Sequence, residues 1–377
     1  MPSSFGNKLR VTVFGQSHSA AIGCVVEGLP SGFEPDFNRL ATFMARRAPG
    51  QGTWTTPRKE ADAVHVLSGL NHAGGTCGAP LALEIQNTNT RSGDYDNVQA
   101  VPRPGHADYT AWAKWHGNQD VPGGGHFSGR LSAPLCAAGG IALQMLEARG
   151  VQIAAHLQSV ADVEDVPFET VRNDDASRAR LAAQMRHLHE SWGKGLPTID
   201  PAAADRMLAA IEDARRDQDS VGGVIECVAT GLPAGIGSPM FDGIENLVAR
   251  AIFGIPAVKG IEFGRGFEVA RLRGSQNNDP YRVDPQTGTV VPQTNNAGGI
   301  LGGISSGAPL VFRCAVKPTP SIAREQDSVD LTQMRDAPLA VHGRHDPCIA
   351  PRAVPVVEAV CALAVLDACL SFPPEQP

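Results

Sequence analysis

Apolar residues along the chain fall into short alternating or clustered runs bounded by glycine or proline. Leu9 to Phe14 alternates with a period of two, and a second apolar cluster follows closely at Cys24 to Val26. Leu81 to Gln86 and Gly223 to Thr230 share this character, and the pattern predicts a strand in each of the four. Helical spacing occupies Pro35 to Arg47, Ser132 to Ala148 and Ala202 to Asp217. Ahead of the last, Pro201 suits a first helical position, where its missing N–H costs nothing, and Asp200 suits the cap. The longest apolar stretch, Ala353 to Leu370, is interrupted by Glu358 and Asp367 and preceded by Arg352, which favours a buried helix over a membrane span. Helices and hairpin-like strand pairs are mixed without regular βαβ alternation, so the expected fold class is α+β. No linker and no internal repeat divides the 377 residues, and one large domain over 1–377 is expected.

Composition changes this picture little. The 41 glycines and 29 prolines follow no period, which excludes collagen-like or low-complexity structure and implies a turn-rich globular chain. The formal charge of −7 argues against a general affinity for nucleic acid or anionic membrane, so any anion site must be a local basic pocket. Eight scattered cysteines without a CxxC pair suit a reduced compartment, and Met1 to Phe14 has no signal-peptide pattern; a cytoplasmic protein is expected.

Five segments could carry chemistry. Gly15-Gln16-Ser17-His18-Ser19 ends a predicted strand, and reads either as a proton-transfer site, as an imperfect GxSxG hydrolase elbow, or as an ordinary turn. Arg103-Pro104-Gly105-His106-Ala107-Asp108-Tyr109 puts His106 on a turn between a cation and a carboxylate that push its proton affinity in opposite directions; a structural cap is the alternative. His106, His116 and His126 recur every ten residues, which fits no usual zinc spacing, and no metal is expected. Gly123-Gly124-Gly125-His126-Phe127-Ser128-Gly129-Arg130 precedes an apolar helix and reads as an anion-binding loop or a tight turn. Asn295 to Gly307, rich in glycine, then a strand-like run and Lys317-Pro318-Thr319-Pro320-Ser321, suit a flat ligand with a phosphate tail or close backbone packing. Finally, Arg344-His345-Asp346 and Arg352 flank the entrance of the C-terminal helix. With Arg46-Arg47 and Arg58, arginines gather beside glycine turns, which favours a small polyanionic ligand.

In this order, and with Leu67-Ser68-Gly69, Asn87-Thr88, Arg91-Ser92, Asp94-Tyr95, Asp219 to Gly223 and Ala257-Val258-Lys259-Gly260 between them, these segments resemble the chorismate synthase family over nearly the whole chain. The resemblance implies an α+β sandwich of helices packed with antiparallel sheets, assembled as a homotetramer. It implies anti-1,4-elimination of phosphate from 5-enolpyruvylshikimate 3-phosphate, dependent on reduced FMN without net redox change. Residue by residue, it gives His18 the protonation of the departing phosphate, Ser17 and Asp346 a proton relay, and His106 stabilisation of the reduced flavin. Arg47, Arg130 and Arg352 would hold the substrate's anionic groups. The flavin would meet His126, Phe127, Ser128, Pro256, Ala257, Gly302, Lys317, Pro318, Thr319, Pro320, Ser321 and Arg344. Because the family pattern uses almost all of the chain, reduced flavin would come from an external reductase, and NADPH alone would drive no turnover.

The chain departs from the familiar pattern at His126-Phe127, Thr53, Pro256 and Pro122, with fewer arginines near the triple glycine. Each lost charged hydrogen bond would weaken anion binding by about 1.5 to 3 kcal/mol. The expectation is that His126, partly protonated, replaces an arginine. A Ser17-His18 hydrolase and a non-catalytic flavin-binding protein are the rival readings.

Overall fold

The computed structural model describes residues 3–50, 52, 54–55, 62–88, 98–285, 288–341 and 346–375. At its N-terminal end the predicted alternation becomes sheet: β1 (Ser4–Phe5), β2 (Arg10–Gly15) and β3 (Ala21–Glu27) pair antiparallel. After α1 (Phe37–Arg47), β4 (His65–Ser68) and β5 (Leu81–Gln86) complete a five-stranded sheet in the order β1-β2-β3-β5-β4. Its register sets Ile22, Cys24 and Val26 opposite Ile85, Leu83 and Leu81, all buried, so one face of the sheet is continuous apolar surface.

The chain continues through α2 (Asp108–Trp115), α3 (Ser132–Glu147), β6 (Gln152–Val160), β7 (Val163–Glu164), α4 (Asp175–Glu190), α5 (Pro201–Arg216), β8 (Gly223–Thr230), α6 (Ile244–Ile252) and β9 (Val258–Phe263). A short α7 (Gly274–Asn277) leads to the hairpins β10 (Tyr281–Val283) with β11 (Val290–Pro292) and β12 (Ile300–Leu301) with β13 (Ile304–Ser305). Then come β14 (Leu310–Val316), the hairpin of β15 (Gln326–Asp330) with β16 (Arg335–Leu339), and α8 (Ala350–Ser371). The second large sheet, β7-β6-β8-β14-β9, is antiparallel throughout.

Helices fill the space between the sheets. α3 packs on β3 and β5, α8 packs on β6 and β8, and the two helices pack on each other. A helix enclosed on all sides cannot keep a polar stripe, and α8 is buried without a break from Val354 to Ala368. By length and composition α8 could cross a membrane, but here it is the interior of the protein. Its two acids are satisfied. Glu358 accepts from Arg46 through two nitrogens, at 2.5 and 3.0 Å, and from Ala155 N at 2.9 Å. Asp367 accepts from the amides of Asn7 and Leu9. The close approach of α3 to α8 needs Gly139, where a Cβ would stand 2.4 Å from Ala359 Cβ.

Some predicted ends shift by one to three residues, while Leu81–Gln86 and Gly223–Thr230 keep theirs. Asp36 caps α1 by accepting from the amides of Asn38 and Arg39, so the helix starts after it and not at Pro35. Asp200 accepts from Ala202 N and Pro201 opens α5, as expected.

Candidate active site

Stretches far apart in sequence meet around one cavity of about 410 Å³, within the range usual for small-molecule sites. The β2–β3 turn brings Ser17 and His18, the last turn of α1 brings Arg47, and the loop before α2 brings Arg103 and His106. Phe127, Ser128 and Arg130 come from the segment leading into α3. The second sheet adds Pro256 and Ala257 ahead of β9, and Lys317, Thr319, Pro320 and Ser321 after β14. Asp346 and Arg352 flank the start of α8. Both central helices therefore begin at the cavity, and the positive ends of their dipoles add to the four arginines and one lysine of its wall.

Three glycines let the two histidines come in. Gly123, Gly124 and Gly125 all have positive φ, at 63°, 84° and 54°. A Cβ at Gly123 would lie 2.4 Å from Ser17 Oγ and 3.0 Å from His18 Nε2, and one at Gly124 would lie 3.1 Å from His106 Nε2. The loop is a wall against which Ser17, His18 and His106 rest, held by Ser17 N donating to Gly125 O at 3.0 Å.

His106 Nδ1 is 2.5 Å from Asp108 Oδ1, and because an ionised carboxylate only accepts, the proton sits on Nδ1. Arg103 donates to both oxygens of Asp108, at 2.7 and 2.8 Å, and to Ser321 Oγ at 3.1 Å. Burial alone would raise the Asp108 pKa, but the Arg103 and His106 hydrogen bonds outweigh it and hold the carboxyl well below the usual range. The cation and carboxylate expected around His106 are both present.

The arginines form a linked set. Arg47 Nη2 donates to Asp62 Oδ2 at 2.8 Å and Nη1 to Ser132 Oγ at 3.2 Å, while its buried Nε has no partner among the described residues. Arg130 bonds the other oxygen of Asp62, and its Nε donates to Asn87 Oδ1 at 3.0 Å. Asn87 in turn donates to the carbonyls of Gln16 and Ser19, on either side of Ser17-His18. Arg352 donates to Asp346 Oδ2 at 2.6 Å and to Arg47 O at 3.0 Å. Burial pushes Asp62 up, but Arg47 and Arg130 together hold it below its ordinary value. Burial lowers Lys317, and Lys259 nearby lowers it further.

Most residues singled out in the sequence converge here, with four exceptions among the described ones. His126 does not line the cavity: Nδ1 lies 2.7 Å from Gly15 O and Nε2 2.6 Å from Ser3 Oγ, so both ring nitrogens are committed to the end of β2 and the N-terminal strand region. The expectation that it replaces an arginine toward the ligand is thereby corrected. Gly302 lies in the β12–β13 turn, and Pro318 is exposed beside Gly222; neither is in the cavity wall. Arg344, Thr53, Arg58, Arg91-Ser92 and Asp94-Tyr95 lie outside the described residues. Arg46 is not in the wall either: it packs 3.8 Å over the Trp192 ring and pairs with Glu358. Asp62 and Asn87 were not foreseen as site residues, since a lone Asp or Asn carries no local pattern. The hydrolase reading fails on topology, because Ser17 leads into β3 and a nucleophile elbow needs a helix there.

Two antiparallel sheets enclosing apolar helices, with a cation-lined cavity at the helix N-termini, define an α+β enzyme that handles a polyanionic small molecule. The family model for chorismate synthase matches residues 9–370. The chain is 51% identical over 376 residues to the chorismate synthase of Lancefieldella parvula, covering 100% of this chain and 98% of that protein. It is 45% identical to that of Archaeoglobus fulgidus, covering 98% and 97%, and 42% identical to that of Korarchaeum cryptofilum, covering 96% of each. A crystal structure of a chorismate synthase superposes with a TM-score of 0.73 at 25% identity, over 97% of this chain and 93% of the other. The chain belongs to the chorismate synthase family, and its activity is the family's, a lyase reaction that yields chorismate.

Proposed function

We propose that the cavity binds 5-enolpyruvylshikimate 3-phosphate together with reduced FMN and performs the anti-1,4-elimination of phosphate within one domain spanning the chain. The observation that carries this reading is the pairing of His18 and His106 against the triple glycine in a wall dominated by guanidinium groups. The donor set suits the flavin. Lys317 with the hydroxyls of Thr319 and Ser321 matches a terminal phosphate, and Phe127, Ser128, Pro256 and Ala257 would flank a flat ring. Ala257 holds a φ of 76°, an uncommon conformation for a residue with a Cβ and a frequent mark of a ligand site. When bound there, reduced FMN would supply electron density for C–O cleavage and take up the C6 hydrogen, with no net redox change.

The protein's own residues bind, orient and move protons. Arg47, Arg130 and Arg352 hold the phosphate and carboxylates, so that charge developing on the leaving group meets fixed cations. His18 protonates the departing phosphate, with the Ser17 hydroxyl beside it and Asp346 across the cavity on Arg352 as the relay. Such acid catalysis contributes typically about 10² to 10⁴ in rate. His106, its Nδ1 held by Asp108, would stabilise the reduced, anionic form of a bound flavin. The strongly exposed Met240, Phe241 and Phe267, at 77, 84 and 84%, suit burial in a subunit contact, as in the expected homotetramer. A cytoplasmic location and an external flavin reductase complete the reading.

Anaerobic turnover with dithionite-reduced FMN tests it. Phosphate and chorismate should appear in equal amounts, and NADPH without added reductase should give neither. Tight binding of FMN and substrate without product would overturn the catalytic reading.

A further inference from the structure

The Asp62 carboxylate lies between two cavity arginines, and its side chain is fully buried. One oxygen takes Arg47 and the other takes Arg130, so a single planar group sets the orientation of both guanidinium planes. Its backbone has a φ of 47°, a left-handed conformation that Asp tolerates better than most residues but that needs support from its surroundings. Arg130 is tied on its other side, through Nε, to Asn87, and Asn87 to the turn that carries Ser17 and His18. Arg47 keeps a buried Nε with no partner among the described residues, which a ligand oxygen would satisfy. Two guanidinium groups on one carboxylate leave a net positive charge and an unused donor in the wall.

We propose that Asp62 is a positioning residue for phosphate elimination: it fixes Arg47 and Arg130 as a rigid pair of cations facing the substrate's anionic groups in the transition state. This rests on the substrate reading above. Asp62 touches no substrate itself; it acts through the two arginines. A carboxylate here also competes with the substrate's anions for the same cations. Simple charge removal should therefore tighten binding, whereas loss of positioning should slow turnover, and the two effects can be separated.

The experiment compares wild type, Asp62→Asn and Asp62→Glu by anaerobic steady-state kinetics with reduced FMN, alongside thermal melts. For Asp62→Asn the expected result is kcat lower by about 10- to 100-fold, the cost of loosening a catalytic geometry by a fraction of an ångström to an ångström, with a substrate KM unchanged or lower. Should the amide variant not fold, Asp62→Glu decides: it keeps the charge but must displace both guanidinium groups, and kcat should fall at least about fivefold with melting behaviour retained. A kcat within about twofold of wild type in a folded variant, whatever its KM, overturns the proposal. Absence of turnover in the wild type would instead strike the substrate reading, so the two failures are distinguishable.

Discussion

The triple-glycine wall makes a quantitative prediction at Gly123. An alanine there would put its Cβ 2.4 Å from Ser17 Oγ, about 1 Å inside the ordinary contact range that begins at 3.4 Å, and 3.0 Å from His18 Nε2. Ser17 is nearly fully buried and tied to Gly125 through its amide, so the Ser17-His18 turn must move as a unit. A shift of this size in a catalytic group typically costs about 100-fold in rate, or about 2.7 kcal/mol of barrier. The φ of 63° at Gly123 adds roughly 1 to 2 kcal/mol of folding free energy lost for any residue with a Cβ. Gly150, in the turn between α3 and β6, separates the two effects, because its φ is 80° and a Cβ would meet nothing within 4 Å. Gly150→Ala should lose similar stability while keeping its kcat; Gly123→Ala should lose both. The assay is anaerobic phosphate release with urea melts of the same preparations. A kcat for Gly123→Ala within about threefold of wild type, or equal losses of kcat in the two variants, would refute the argument that the glycine is there for His18 and Ser17.

Two further predictions concern groups away from the cavity. His156 is wholly buried between Asp165, 3.0 Å from Nδ1, and Glu226, 3.1 Å from Nε2. Burial opposes a charge there, but the two carboxylates outweigh it and raise the histidine's pKa. Its stabilisation is therefore complete below the unfolded value of about 6.5 and is lost as pH rises through the higher folded value; urea midpoints should fall from about pH 6.5 upward, and His156→Gln should flatten that fall. Parallel profiles for the two proteins would falsify the assignment. Arg46→Ala should lose about 3 to 5 kcal/mol, because it strands the buried Glu358 carboxylate, yet leave substrate KM unchanged, since Arg46 packs on Trp192 outside the cavity wall. A large rise in KM would return Arg46 to the site.

How far the sequence alone reaches can be seen element by element. Amphipathic or alternating segments were legible: the strand at Gly223–Thr230 matches residue for residue, and α5 begins at Pro201 with Asp200 as its cap. These features depend on local backbone chemistry and on which face meets the core, both written in neighbouring residues. β6 was not legible, because Gln152–Val160 is a central strand between α8 and α4 and has no solvent face to produce alternation. The histidines, the glycine loop and the arginines beside turns were readable as candidates for anion chemistry, since residue type limits what a side chain can bind. Which of them share a cavity was decided only by the fold. The pairing of Arg47 and Arg130 on Asp62, the turning of His126 away to Gly15 and Ser3, and the diversion of Arg46 to Glu358 each join residues distant in sequence. Such pairings depend on where two sheets and their enclosed helices place chain segments tens to hundreds of residues apart, and a charged side chain takes the partner that this packing brings within reach.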